Sequence, residues 1–361
     1  MSLSIGIVGL PNVGKSTLFN ALTQNDILAA NYPFATIEPN TGIVPVPDTR
    51  LAKLKELYSA EKIIPATVTF VDIAGLVAGA SKGEGLGNKF LDNIRRTDAI
   101  VHVVRAFENS EILRHDESEV NPKADIEIIN TELILADIQT IEGRIPKLQK
   151  EAKSLPAARE RIGYLESLLR HLEAGTPLSA LPSLDEEAIQ DLHLLTAKPV
   201  IYAFNVDEDT LGNADKLREL TALVAPARTI FVCAKIEEEI KDLSEDDALE
   251  LLEAYGVEET GLNQLIKAAY DTLGLQSYLT AGEKEIRAWT IHQGDTAPQA
   301  AGVIHTDFEK GFIAAAIVSY EDLIEAGSET AAKAAGKMRT EGRDYVMRPD
   351  DVVEFRFNVS K

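Results

Sequence analysis

Gly9-Leu10-Pro11-Asn12-Val13-Gly14-Lys15-Ser16 fits the pattern G-x-x-x-x-G-K-[ST] at every specified position. An apolar run (Leu3, Ile5, Ile7, Val8) leads into it and a helical pattern (Leu18, Phe19, Leu22) leads out. A strand–loop–helix passage of this kind cradles phosphates. Its glycines let backbone N–H groups turn inward, and the helix presents its positive end. Asn12, Val13, Gly14, Lys15, Ser16 and Thr17 are therefore the candidate phosphate-binding residues, with Lys15 on the β- and γ-phosphates and the Ser16 hydroxyl on Mg²⁺. A plain glycine-rich turn leaves Lys15-Ser16 unexplained. Asp72-Ile73-Ala74-Gly75 follows the strand-like stretch Val68–Val71. There Asp72 is placed to hold the same metal through water, and the Gly75 N–H to contact the γ-phosphate and sense its loss. The plainer alternative is an Asp that caps a turn. A first switch is expected over residues 31–42, where Thr36 can offer a hydroxyl to Mg²⁺. The following run carries Gly75, Gly79, Gly83, Gly85 and Gly87, and suits a second segment that rearranges with the γ-phosphate.

The base-selecting element should follow the next buried strand, where guanine-specific proteins of this chemistry carry N-K-x-D. Here the chain reads Asn205-Val206-Asp207-Glu208. Val206 replaces the stacking cation, and Glu208 is one methylene longer than the Asp that pairs with guanine. Losing a paired hydrogen-bonding site costs discrimination of roughly 10⁴-fold or more. Guanine selection is expected to fail, whereas the Asn205 amide can pair with the 6-amino group and N7 of adenine. Asp207 in a shifted register remains the alternative. Cys233-Ala234-Lys235 resembles the S-A-K loop beside the base, with the backbone of Cys233 and Ala234 lining the pocket. Lys235 is equally readable as a solvated surface lysine.

Hydrolysis needs an oriented water, and many Ras-like enzymes place a Gln directly after D-x-x-G. This chain has Leu76 there, which cannot hydrogen-bond water. Asn12 either helps hold K⁺ near the phosphates or merely shapes the loop. His115, in the polar stretch 107–122, is either a catalytic imidazole carried by a mobile loop or an ordinary exposed histidine.

Residues 31–42 (Asn-Tyr-Pro-Phe-Ala-Thr-Ile-Glu-Pro-Asn-Thr-Gly) resemble the first switch of Obg-type P-loop proteins, as does 48–54 (Asp-Thr-Arg-Leu-Ala-Lys-Leu). Together with a helical insertion and the stretch 299–312, which resembles a TGS domain, they make the whole chain similar to the YchF/Obg-like ATPase family. The resemblance implies ATP preference with an N-x-x-E departure, a catalytic histidine at His115, and a hydrophobic residue in place of the water-orienting Gln. It also implies ribosome association linked to translation or stress, with the helical and TGS regions as contact surfaces.

The elements that must position these residues are legible in outline. Strands are expected near 3–8, 66–72, 98–104, 199–204 and 228–233, and helices between them imply a doubly wound α/β sheet. Apolar residues at helical spacing from Ile126 to Leu148 and from Ile162 to Leu172, with Pro156 between, read as a helical hairpin inserted into that domain. Two ordinary helices packed on the sheet are the alternative. A small α+β section follows Leu275, with strands at 288–292, 311–318 and 352–357 and helices around 319–325 and 330–337. The expected domains are 1–123 with 196–275 (P-loop nucleotide-binding), 124–195 (the inserted hairpin, or coiled coil) and 276–361 (TGS-like).

The 361 residues carry a formal charge of −22, which argues against nonspecific nucleic-acid binding by the whole surface. Yet residues 144–161 hold Arg144, Lys147, Lys150, Lys153, Arg159 and Arg161 against Glu151 and Glu160. This cluster is either a phosphate-contacting surface suited to RNA or a solvated helical face. One cysteine, no leader and no spanning apolar run suggest a cytoplasmic protein with no membrane segment, expected to work as a monomer. The favoured activity is Mg²⁺-dependent ATP hydrolysis with nucleotide-controlled binding to the ribosome. A GTPase or dual-specificity enzyme and an ATP-gated binding module with negligible turnover are the rivals. A small-molecule kinase fits less well, because no separate acceptor-site motif is visible.

Overall fold

A computed structural model of the chain describes residues 3–23, 40–73, 86–108, 120–240 and 243–358. The sequence expectations for Thr36, Gly75, Leu76 and His115 lie outside them, as do residues 31–39 and 74–85 of the two expected switches. By internal contacts the chain forms two compact units. One is built mainly from the N-terminal stretch and Thr69–Leu265, the other from Ile43–Val68 and Ile266–Lys361.

The first strands and helices in chain order are β1 (Ser4–Val8), α1 (Lys15–Thr23), β2 (Thr41–Pro45), α2 (Arg50–Tyr58), β3 (Lys62–Ile64), β4 (Thr67–Asp72), α3 (Leu86–Arg95) and β5 (Ala99–Ala106). Then come α4 (Pro122–Glu151), α5 (Pro156–Glu173), α6 (Glu186–Ile189), β6 (Val200–Val206), α7 (Glu208–Leu211), α8 (Ala214–Ala222), β7 (Arg228–Val232), α9 (Ala234–Ile240), α10 (Glu245–Ala254) and α11 (Gly261–Thr272). The C-terminal section runs β8 (Leu275–Ala281), β9 (Glu285–His292), α12 (Ala297–Ile304), α13 (Thr306–Lys310), β10 (Phe312–Ser319), α14 (Tyr320–Ala326), α15 (Glu329–Ala334), β11 (Arg339–Glu341) and β12 (Asp351–Phe357).

The first sheet has the order β2-β4-β1-β5-β6-β7, with β4, β1, β5, β6 and β7 paired in parallel. Strands this deep in a parallel sheet are covered on both faces, which explains why β5 is buried without a break from Ala99 through Arg105 and is mostly apolar. Strand order reverses around β1, where open α/β sheets bind their ligands. The helical periodicity of 126–148 and 162–172 becomes α4 and α5, which pack on each other through Ile141, Leu148, Leu165, Leu168 and Leu172. Pro156 is the first residue of α5, where its missing N–H costs nothing. None of the described helices is long and apolar enough to cross a membrane.

In the second unit the sheet order is β11-β10-β12-β8-β9-β3. One face carries Tyr278, Ile291, Ile317 and Val353 against the small residues Ala297, Ala300 and Ala301 of α12. The pleat turns Leu279, Ala288 and Val352 to the other face, on the side where α2 packs against β8 and β9. Sequence reading passed over β2, β3, β8, β11, α12 and α13. β3 and β11 are too short to show a period. The cue for α12 was present: Gln299 accepts from the Thr296 N–H at 2.8 Å, completing half of a T-x-x-Q box.

Candidate nucleotide site

β1 delivers the loop 9–14 to the point of strand-order reversal, and α1 starts at Lys15. The loop is held so tightly that its glycines are dictated by neighbours as well as by a ligand. A Cβ on Gly9 would lie 2.9 Å from the backbone oxygen of Val103. Gly14 has φ +93°, and a Cβ there would lie 2.3 Å from Nδ2 of Asn205. Asn12 takes φ 64°, a left-handed conformation that Asn tolerates better than most residues. Val13 is buried by its side chain, while Ser16 and Thr17 are exposed on the first turn of α1. Lys15 is 9% exposed, and its ammonium donates to Oδ1 of Asp72 at the end of β4. A buried ammonium needs such a partner. The fold thus brings together Lys15 and Asp72, which lie 57 residues apart. The Asp72 N–H donates to the Asn40 carbonyl at 2.7 Å and the Ile73 N–H to Ile7 at 3.1 Å, which fixes the carboxylate beside the loop.

The third motif arrives on β6. The Asn205 Nδ2 donates to the Val13 carbonyl at 3.1 Å, so the base-side strand props the phosphate loop directly. That bond uses one amide hydrogen and leaves a second hydrogen and the carbonyl oxygen for a ligand. Val206 turns its side chain into the core with Tyr202, Phe204 and Cys233, leaving only its backbone to meet a nucleotide. Asp207 caps α7 by accepting the Thr210 N–H at 2.8 Å, which accounts for its presence without any role at the base. Glu208 begins α7, and Lys235 and Tyr255 both reach its carboxylate. Tyr255 had no sequence signal, because it lies 47 residues beyond Glu208 and outside any motif. Cys233 is 4% exposed and burial pushes its thiol upward, so it is a packing thiol beside the exposed Ala234.

The donor set fits a small hard cation. A hydroxyl on Ser16 and a carboxylate on Asp72 are oxygen ligands of the type Mg²⁺ takes beside phosphates. Away from the loop, the hairpin's cations divide into two groups. Arg144 and Arg161 both turn to Asp191, at 3.3 Å for Arg144. Lys147, Lys150, Lys153 and Arg159 are exposed around the α4–α5 turn, next to the 56% exposed Leu155.

Comparison with known proteins identifies relatives along the whole chain. A family model described as a 50S ribosome-binding GTPase matches residues 4–141. The model for the C-terminal region of YchF GTPases, described as a protein of unknown function (DUF933), matches residues 275–358. The chain is 54% identical to the "Ribosome-binding ATPase YchF" of Haemophilus influenzae, over 99% of this chain and all of that protein. It is 52% identical to the Bacillus subtilis protein of the same name, again over 99% of this chain and all of the relative. Among solved structures, the Schizosaccharomyces pombe YchF GTPase superposes with a TM-score of 0.85 at 40% identity, covering 98% of each chain.

Proposed function

This chain belongs to the YchF family, and from that premise we propose that it is a Mg²⁺-dependent ATPase whose nucleotide state governs its association with the ribosome. The observation that carries the ATP reading is the state of the base-selecting motif. Asn205 is in place beside the phosphate loop, Val206 is buried, and Asp207 is committed to capping α7. The fourth position of that motif is Glu208, longer than the Asp that pairs with guanine, while the Asn205 amide has the donor and acceptor that adenine needs. The relatives named as ribosome-binding ATPases support the same choice.

In this reading the backbone of 12–17 holds the phosphates and Lys15 reaches the β- and γ-oxygens. Ser16, Asp72 and Thr36 would hold Mg²⁺, which when bound would neutralise phosphate charge. Gly75 senses the γ-phosphate, and loss of that contact changes the partner-facing regions. Leu76 cannot orient water, so His115 is assigned that task, and Asn12 is assigned to K⁺. The hairpin of 124–195 and the TGS-like section 276–361 are the partner-facing regions. The exposed Lys147, Lys150, Lys153 and Arg159 contact ribosomal RNA phosphates. The protein works in the cytoplasm as a monomer.

The test is calorimetry with nonhydrolysable ATP and GTP analogues in Mg²⁺, followed by single-turnover hydrolysis with and without ribosomes. ATP is expected to bind at least about tenfold tighter, a difference of about 1.4 kcal/mol. A GTP preference overturns the base assignment. Turnover that stays at the uncatalysed rate in both conditions leaves a nucleotide-gated binding protein instead of an enzyme.

A further inference from the structure

Glu208 stands three positions beyond Asn205, at the first turn of α7. Its carboxylate is held from two other stretches of chain. The Lys235 ammonium on α9 lies 2.8 Å from Oε1 and 3.0 Å from Oε2. The Tyr255 hydroxyl, just after α10, donates to Oε1 at 3.3 Å. Both oxygens are thereby engaged, although the Glu208 side chain keeps 29% of its exposure. The Lys235 ammonium is itself held above its ordinary range by hydrogen bonding to Glu208.

Guanine is selected by a carboxylate that accepts from N1–H and the 2-amino group together. A carboxylate already bonded to an ammonium and a phenol must first break charge-assisted bonds to do so. Adenine has neither of those donors and asks nothing of the carboxylate. The same clamp is therefore neutral toward one base and costly for the other, which is how a site rejects a competitor without new contacts to its own ligand. We propose that Lys235 and Tyr255 are positioning residues that set nucleotide selectivity by withholding the Glu208 carboxylate from guanine. This rests on the ATP-selective reading above and adds to it the residues that exclude GTP.

The experiment is calorimetry on the full chain in Mg²⁺ with nonhydrolysable ATP and GTP analogues. It compares the unaltered protein with Lys235→Met/Tyr255→Phe, with Glu208→Gln, and with all three changes combined. An exposed ion pair and a single phenol bond are each modest, so the ratio of GTP to ATP dissociation constants is expected to narrow about 5- to 20-fold in the double variant. The change should come from tighter GTP binding, with ATP affinity moving less than about twofold. In the Glu208→Gln background the gain should vanish, because it acts through that carboxylate. An unchanged ratio in the double variant overturns the proposal, and so does a gain that persists without Glu208. The single variants Tyr255→Phe and Lys235→Met carry the same test, with smaller shifts, if the double variant folds poorly. Absence of ATP preference in the unaltered protein instead overturns the ATP reading itself, so the two failures are distinct.

Discussion

Gly14 shows how a motif glycine can be fixed by its neighbours as well as by its ligand. Its φ of +93° excludes ordinary side chains, and a Cβ would fall 2.3 Å from the Asn205 amide that props the loop. Gly14→Ala should therefore strain the loop and push Asn205 off Val13 together. Nucleotide affinity is expected to fall at least about tenfold in a binding titration, at about 1–2 kcal/mol for the backbone strain alone. An affinity equal to that of the unaltered protein would show that Asn205 and the loop are not coupled. The same residue scale explains what the sequence concealed. Asp207 reads from the sequence as a candidate shifted guanine ligand, and in the structure its Oδ1 accepts the Thr210 N–H at 2.8 Å and caps α7. Side-chain identity leaves such roles open, because Asp caps helices and binds bases with the same oxygens.

At the scale of elements, α4 does more than carry a basic tip. Asp137, 1% exposed on its inner face, accepts the N–H groups of Leu195 and Thr196 at 2.8 Å each and the Thr196 hydroxyl at 2.7 Å. Burial raises the Asp137 pKa while these three donors lower it, and the bonds tie α4 to the chain that enters β6, the strand that carries Asn205. Asp137→Ala leaves two buried backbone donors without their acceptor. The expected loss is about 2–4 kcal/mol of unfolding free energy, read from the denaturant midpoint. A midpoint within experimental scatter of the unaltered protein would remove Asp137 from this role. The hairpin's apolar spacing was legible because helix periodicity is local. This anchor was not, because its partners lie 58 and 59 residues away.

On the scale of the whole molecule, the C-terminal section depends on residues far earlier in the chain. β3 pairs with β9 through Lys62↔Glu285, Ile63↔Ile286 and Ile64↔Arg287, and α2 covers β8 and β9 with Leu51 and Leu54 buried. Arg50 makes a two-pronged contact with Asp48 at 2.8 and 2.6 Å and also donates to the Pro349 carbonyl. The stretch 48–54, which in sequence resembles the first switch of Obg-type proteins, is thus part of the second unit's packing. A fragment of residues 266–361 alone would expose Leu279 and Ile286, both buried in the full chain. It would also forgo about 1.5–3 kcal/mol for each buried apolar side chain of α2 and β3. It is expected to lack a cooperative thermal transition, and joining residues 43–68 to it should restore one. A sharp transition from the fragment alone would refute this dependence.

The sequence by itself determined the phosphate loop, the parallel strands of the first sheet, the paired helices and the family. The first three are encoded in short-range spacing (G-x-x-x-x-G-K-S, apolar runs of strand length and a 3.6-residue period), and the family was carried by the resemblance of 31–42, 48–54 and 299–312. Only the tertiary structure decided that Asp72 partners Lys15, that Asn205 props Val13, and that Lys235 and Tyr255 hold Glu208. It alone also assigned residues 43–68 to the second unit. The physical reason is common to all of these. Hydrogen bonds, ion pairs and edge pairings act over a few ångströms between residues tens to hundreds of positions apart, and nothing in local spacing records which of the many compatible donors and acceptors will meet.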